Sequence, residues 1–165
     1  MNAAQHKWLI RSSGIVLRTD ANTDAARFAR LFVETWRMIP LADRRLMRRG
    51  HRYPGDLWMG VGLFHDHQRW QRGPSGEAAA QFSVLSDHLE LTVRNAWFAR
   101  LPDEHARCII AHELGHCVLS ATSPYHLGDA FAEEDVAEQL RAWGFDDEAR
   151  MDFEAGCGLR TGEAA

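Results

Sequence analysis

The chain of 165 residues contains few cysteines and no long apolar segment. Its three cysteines are odd in number and have no regular spacing, which excludes a disulfide framework and favours a reducing compartment. No run reaches the roughly 18 apolar residues that a membrane-spanning helix needs, and the first residues lack the apolar core of a secretion signal. We therefore expect a cytoplasmic protein that does not enter a membrane.

Positive charge is scarce in the second half of the chain. The net charge is −4, but residues 1–72 carry +7 and residues 73–165 carry −11. The densest basic segment, Arg44–Arg52, contains five arginines. Two interpretations stay open: a solvated helix face that pairs with the acidic half of its own domain, or a surface for an acidic or nucleic-acid partner.

The length suits one domain with one hydrophobic core, and no segment reads as a linker, so residues 1–165 are expected to form a single unit. Apolar spacing predicts both strands and helices, and hence an α+β fold. The predicted strands are Leu9–Thr19, interrupted at 12–14, Leu57–Phe64 and His88–Trp97, the last with one solvent-facing side. The predicted helices are one capped by Thr23 and ended by Pro40, Leu41–Arg49, about 102–121, and 131–143.

The most informative segment is His112-Glu113-Leu114-Gly115-His116, an HExxH motif. Chance would give about 0.03 such matches in a chain of this composition. On a helix the two histidines lie one turn apart on one face, where both imidazoles can bind one zinc ion. Glu113 is turned by about 100° and lies beside the ion, where it can accept a proton from water. The competing interpretation is a buried helix whose two histidines are satisfied by hydrogen bonds.

A catalytic zinc site needs a third protein ligand, and the helix predicted at 131–143 offers carboxylates. Its apolar stripe ends before Gly144, a residue typical of the position just after a helix. Glu134, Ala137 and Glu138 follow helical spacing on another face, so the small Ala137 would let both carboxylates approach the metal. The neighbouring Glu133 is the alternative ligand if this helix is rotated.

HELGH followed by Glu134-x-x-Ala137-Glu138 resembles the gluzincin metallopeptidases, and in particular the minimal cytoplasmic ImmA/IrrE type of bacteria and phages. The resemblance covers about residues 88–145, whereas residues 1–75 have no assigned role. It implies a zincin-like catalytic core, with Glu134 as third zinc ligand. It also implies that Glu138 holds the first histidine, although the family usually has aspartate there. The strand before the motif helix would correspond to an edge strand that pairs with an extended peptide.

Other residues near the motif have less defined roles. Tyr125 and His126 lie in the loop between the two predicted helices, where either would donate a hydrogen bond to a developing oxyanion or serve as an ordinary loop residue. Cys108, one turn before His112, is a poor third ligand because three ligands on one helix are crowded, and it is expected to pack as an apolar side chain.

These observations predict a small mixed sheet packed on the HExxH helix and on a downstream helix that carries the third ligand. The expected activity is zinc-dependent hydrolysis of peptide bonds in an extended protein or peptide substrate. The alternative is a regulatory protein with a structural metal, acting through its basic N-terminal half.

Overall fold

The computed structural model describes residues 14–49, 58–64, 72–73, 76–77, 80–84, 88–122 and 133–145. Within these residues the chain forms strands and helices of comparable number, which confirms a mixed α+β fold. The strands are β1 (Ile15–Thr19), β2 (Trp58–Phe64), β3 (Arg72–Gly73), β4 (Gly76–Glu77), β5 (Ala80–Val84) and β6 (His88–Arg94). The helices are α1 (Ala25–Met38), α2 (Leu41–Arg49), α3 (Asn95–Phe98), α4 (Asp103–Thr122) and α5 (Glu133–Ala142).

Four strands form a mixed sheet in the order β1-β2-β6-β5. β1, β2 and β6 are parallel, whereas β5 runs antiparallel to β6 at one edge. The short strands β3 and β4 form a separate antiparallel pair. The strand that precedes the HExxH helix is therefore an interior strand, and β5 is the edge strand on that side. This corrects the expectation that the strand before the motif helix lies at the sheet edge.

One face of the sheet forms the floor of the core. Its side chains come from aligned positions of the strands, and they are almost completely buried: Ile15, Met59, Val61, Leu63, Leu89, Leu91 and Val93. The other face is less exposed than the alternation of β6 predicts, because Thr92 and Arg94 are only 1% and 8% exposed. The ring of Phe64 lies where a side chain at Gly62 would stand, and Gly62 is the register partner of Thr92.

The predicted strand His88–Trp97 is too long by three residues. β6 ends at Arg94, and the chain turns directly into the short helix α3, with Phe98 buried. The amide of Leu101 then donates to the carbonyl of Phe98, and the amide of Ala106 donates to that of Pro102. These turns lead into α4, so its start coincides with the predicted proline and acidic first turn.

The N-terminal helices agree with the sequence in extent but not in their cap. Asp24, rather than Thr23, caps α1, because its carboxylate accepts the amide of Arg27 at 3.0 Å. The Thr23 hydroxyl instead donates to the carbonyl of Asp20 at 2.8 Å. α1 ends at Met38, and the backbone of the next residue, Ile39, is extended as expected before proline. The next helix, α2, has the predicted bounds.

α4 is the central helix of the described structure. It contacts α1, α2 and α5 on the helical side, and β5 and β6 on the sheet side. Apolar side chains surround it, with Ala106, Ile110, Ala111, Leu114 and Cys117 fully buried. Ten of the thirteen residues from Ala106 to Val118 are buried, which confirms the predicted burial of most of the HExxH helix.

α5 packs beside α4 and ends as predicted. Gly144 has a φ of +82°, and the amide of Phe145 donates to the carbonyl of Leu140, a closure typical of helix ends. The indole of Trp143 donates to the Asp43 carboxylate on α2 at 2.7 Å. The end of α5 is thus attached to α2. No helix in the described ranges is long and apolar enough to cross a membrane.

Candidate metal centre

The two motif histidines converge on one point of the surface of α4. His112 and His116 are half-buried, and their Nε2 atoms are 3.1 Å apart. Their rings stand edge to face, with centroids separated by 4.7 Å. Helical spacing thus brings together the pair that the sequence predicts.

The spacing of the two nitrogens fits a shared metal ion. Two imidazole nitrogens at 2.0–2.1 Å from a tetrahedral zinc ion stand about 3.3 Å apart. The observed 3.1 Å needs only a small adjustment to match this separation. The same distance also fits an N–H···N hydrogen bond, which is the competing interpretation of the pair. The donor set, two neutral imidazoles, is one that zinc commonly binds.

Glu113 lies next to the pair in a protected position. The residue is 8% exposed, although carboxylates are seldom buried in proteins. It follows His112 directly, so the helix turns it by about 100° from His112, to one side of the imidazole face. A buried carboxylate at this point agrees with the predicted general base.

The start of α4 is held by an arginine that sequence analysis does not identify. Arg27 on α1 donates to the Asp103 carboxylate at 2.8 Å, to the carbonyl of Phe98 at 2.9 Å and to the carbonyl of Leu101. Its guanidinium also lies over the Phe98 ring, 4.7 Å from the centroid. These contacts fix the turn that leads into the motif helix, and no local pattern in the sequence signals them because the partners are more than 70 residues apart.

Further ion pairs join the same two helices. Arg30 donates to Asp103 at 2.5 Å and to Glu34 at 3.2 Å, and Arg107 donates to Glu34 at 3.0 Å. Hydrogen bonds from Arg30 and Arg27 lower the pKa of the Asp103 carboxyl below its ordinary value. The same pairing with Asp103 raises the pKa of Arg30. The motif helix is thus attached to α1 by charge as well as by apolar contacts.

α5 crosses α4 within the motif itself. A Cβ atom at Gly115 would lie 3.0 Å from Val136 Cγ1 and 3.3 Å from Leu140 Cδ1. A glycine inside a helix usually has a packing reason, and here it lets α5 approach closely. The predicted apolar stripe of α5 is confirmed by the burial of Val136, Leu140 and Trp143.

The acidic residues Glu134 and Glu138 of α5 are exposed to solvent, unlike the half-buried histidines of α4. Glu134 and Glu138 are exposed, while Ala137, between them on the predicted face, is 4% exposed. Among the side chains that the structure describes, no third histidine, cysteine, aspartate or glutamate joins the pair within reach of one metal ion. The roles of Glu134 as third ligand and of Glu138 as the carboxylate that holds His112 stay predictions from the resemblance.

The remaining site candidates fall into two groups. Tyr125 and His126 lie outside the described residues. Cys108 and Cys117 are buried cysteines on α4 that form no disulfide with each other, as expected for side chains that pack as apolar groups. Burial raises the pKa of the Cys117 thiol well above its usual value, so this sulfur stays protonated near neutral pH.

The basic segment of the sequence is described as far as α2. Arg45 is exposed, Arg44 and Arg48 are half-buried, and Arg52 lies outside the described residues. None of the ion pairs described above, which join α1 to α4 or lie inside α1, includes these three arginines of α2. Both interpretations of the basic segment stay predictions.

The comparisons with known proteins give no relative. No protein-family model matches the chain, and no curated protein or solved structure is similar to it at a significant level.

Proposed function

We propose that the chain is a zinc-dependent peptidase with a zincin-like site of the gluzincin type. The observation that carries the proposal is the 3.1 Å separation of the His112 and His116 Nε2 atoms on a buried helix, with the buried Glu113 beside them. A purely structural metal site has no use for a carboxylate at that position. The resemblance of HELGH to gluzincins supports the same conclusion.

The two imidazoles would hold the metal, and a carboxylate from α5 would complete the set of three protein ligands. A zinc ion bound there would lower the pKa of its water to about 7 and polarise a substrate carbonyl. Glu113 would accept the proton of the attacking water and return it to the amine that leaves. Its burial keeps bulk water away from this proton and strengthens its electrostatic interactions. Tyr125 and His126 are proposed donors to the oxyanion.

The sheet offers a place for an extended peptide. β5 is an antiparallel edge strand, and α4 contacts it directly. An edge strand presents backbone donors and acceptors that pair with another strand in a largely sequence-independent way. We propose that the substrate is a protein or peptide segment that lies along β5 next to the imidazole pair. A cytoplasmic location is part of the proposal, in keeping with the small and odd number of cysteines in the sequence.

A second candidate function is supported by the arginines of α2. Arg44 and Arg48 lie one helical turn apart and, like Arg45, take part in none of the ion pairs described above. Such a surface would bind phosphates or an acidic protein segment, with the metal site acting structurally or in regulation. Retention of labelled DNA or RNA at low salt, lost steeply with added salt and in Arg44→Ala/Arg48→Ala, would favour this function.

The principal test measures metal and cleavage separately. Protein purified without added zinc is analysed for bound metal, and casein and a peptide library are screened for cleavage. We expect one zinc per chain in the wild type and in Glu113→Gln, with cleavage in the wild type only. His112→Ala should lose both. A wild type without affinity for zinc would refute the metal site, and equal cleavage by wild type and Glu113→Gln would refute the mechanism.

A further inference from the structure

The face of α5 that meets α4 is defined by apolar contacts. Val136, Ala137 and Leu140 are 0%, 4% and 0% exposed. Val136 and Leu140 are also the side chains that a Cβ at Gly115 would touch first. Gly115 follows His112 by three residues, so it stands about 60° from His112 around the axis of α4. The face of α5 that contacts Gly115 is therefore turned towards the candidate metal centre.

Helical geometry decides which acidic position shares this contact face. Residues three, four and seven positions apart lie on one side of a helix. Position 133 precedes Val136 by three residues, Ala137 by four and Leu140 by seven. Position 134 is turned from it by about 100°. The structure agrees, because Glu134, Asp135 and Glu138 are all exposed.

We propose that Glu133, rather than Glu134, supplies the carboxylate that completes the zinc site with His112 and His116. The proposal rests on the proposed function, and it moves the ligand by one residue from the Glu134-x-x-Ala137 register of the resemblance. In the new register the residue three positions after the ligand is Val136. Val136 packs closely against Gly115. The same packing that brings the two helices together therefore also brings position 133 to the side of α5 that faces α4.

The new register has a consequence for the supporting carboxylate. Ala137, not an acidic residue, stands four positions after Glu133. α5 then provides no carboxylate to orient a histidine from that position, and Glu138 remains a solvent-exposed charge. Removing the Glu138 carboxylate is therefore expected to leave zinc affinity unchanged, whereas loss of a true supporting partner typically costs 10–100-fold in affinity.

The proposal is tested with the full chain and zinc alone. Metal-free protein is titrated with zinc in competition with a chromophoric chelator, and the Tm is measured with and without zinc. Removal of a residue that only supports a metal ligand typically lowers metal affinity by roughly 10–100-fold. Glu133→Gln should lower zinc affinity by more than this, and zinc should no longer raise its Tm. Glu134→Gln is the matched control, since it removes one carboxylate from the adjacent position. It should bind zinc as the wild type does.

Each outcome decides whether Glu133 or Glu134 is the third zinc ligand. Zinc lost in Glu134→Gln and kept in Glu133→Gln would restore the Glu134 register and overturn the proposal. Zinc kept in both single variants would also overturn it, because the third ligand would then come from elsewhere. If Glu133→Gln fails to fold by circular dichroism, Glu133→His should fold and bind zinc. A wild type that binds zinc and cleaves peptides while the proposal fails leaves the proposed function intact.

Discussion

The two helices that frame the candidate site, α4 and α5, are held in different ways. α4 spans 20 residues and contacts three helices and two strands, with apolar side chains buried against all of these elements and only the side with the imidazoles half-buried. α5 spans 10 residues and buries one face against α4, while Glu134, Asp135, Glu138 and Arg141 are exposed on the rest of its surface.

The difference concerns how firmly each helix orients its side chains. Rotation of α4 about its axis would expose apolar surface on several sides at once, so its packing fixes the direction of both imidazoles. Rotation of α5 is opposed by fewer contacts, chiefly those of Val136 and Leu140 at Gly115 and the bond from Trp143 to Asp43. The fold therefore preorganises the histidine pair, and the third ligand depends on a small number of contacts.

We expect the largest loss of stability when a fully buried side chain of α4 or of α5 is truncated, and the two losses can be compared. Ile110 on α4 and Leu140 on α5 are both 0% exposed. Truncation of such a side chain to alanine costs about 2–5 kcal/mol of unfolding free energy, depending on how far the surroundings collapse. We expect Ile110→Ala in the upper half of this range, because α4 is enclosed, and Leu140→Ala in the lower half, because α5 can shift towards the cavity. Urea denaturation with a constant m-value measures both.

The exposed Leu41 provides the control for these truncations. It is 53% exposed at the start of α2, so Leu41→Ala should change stability by no more than about 0.5 kcal/mol. A loss for Leu140→Ala that equals or exceeds that for Ile110→Ala would contradict the difference between the helices.

A smaller effect is expected at the point where the helices touch. Replacement of a helical glycine by alanine favours the helix by about 1 kcal/mol. At Gly115 the new methyl group would lie 3.0 Å from Val136 Cγ1 and 3.3 Å from Leu140 Cδ1, and overpacking of this kind costs about 1–3 kcal/mol. Gly115→Ala should therefore destabilise the protein by about 1 kcal/mol in urea denaturation, with α5 displaced from α4.

A Val136→Ala background isolates the contact. With the nearest methyl group removed, Gly115→Ala should become neutral or stabilising, since the preference for alanine in a helix then dominates. Additive effects of the two substitutions would show that Gly115 and Val136 do not interact, and would remove the basis for the close approach of α5.

The same contrast explains what the sequence predicts and what it leaves open. The HExxH helix, the bounds of α2 and the end of α1 before Pro40 follow from local spacing and backbone chemistry, and the structure confirms them. In α5 the sequence shows an apolar stripe and an acidic one, and Ala137 fits both. Only the contact at Gly115 shows which face meets α4, and this contact joins residues far apart in sequence.

The burial of the second face of β6 and the contacts of Arg27 could not be predicted either, because both depend on segments that are distant in sequence. The alternation of β6 is the same for an edge strand and an interior strand, so the burial of Thr92 and Arg94 depends on the strand order. The contacts of Arg27 with Phe98 and Asp103 likewise join distant segments and have no local signature.

The smallest expected effect concerns charge at the first turn of α4. Hydrogen bonds from Arg30 and Arg27 hold the pKa of Asp103 below its ordinary value of 3.8. Because the pKa is lower in the folded state, the carboxylate contributes stability that is fully present above about pH 4 to 5 and is lost as the pH falls through the folded-state pKa. The Asp103 side chain is 42% exposed, so solvent screening limits the contribution to about 1 kcal/mol or less.

The urea midpoint, measured from pH 6 to pH 3 at low salt, should therefore fall less steeply in Asp103→Asn than in the wild type, and the two curves should approach each other at the acidic end. Glu104→Gln is the control, because it removes an exposed carboxylate from the same turn that takes no part in the ion pairs to α1 described above. It should keep the acid-dependent slope of the wild type. If Asp103→Asn keeps that slope as well, the ion pairs of Asp103 with Arg27 and Arg30 add nothing measurable to the anchoring of α4.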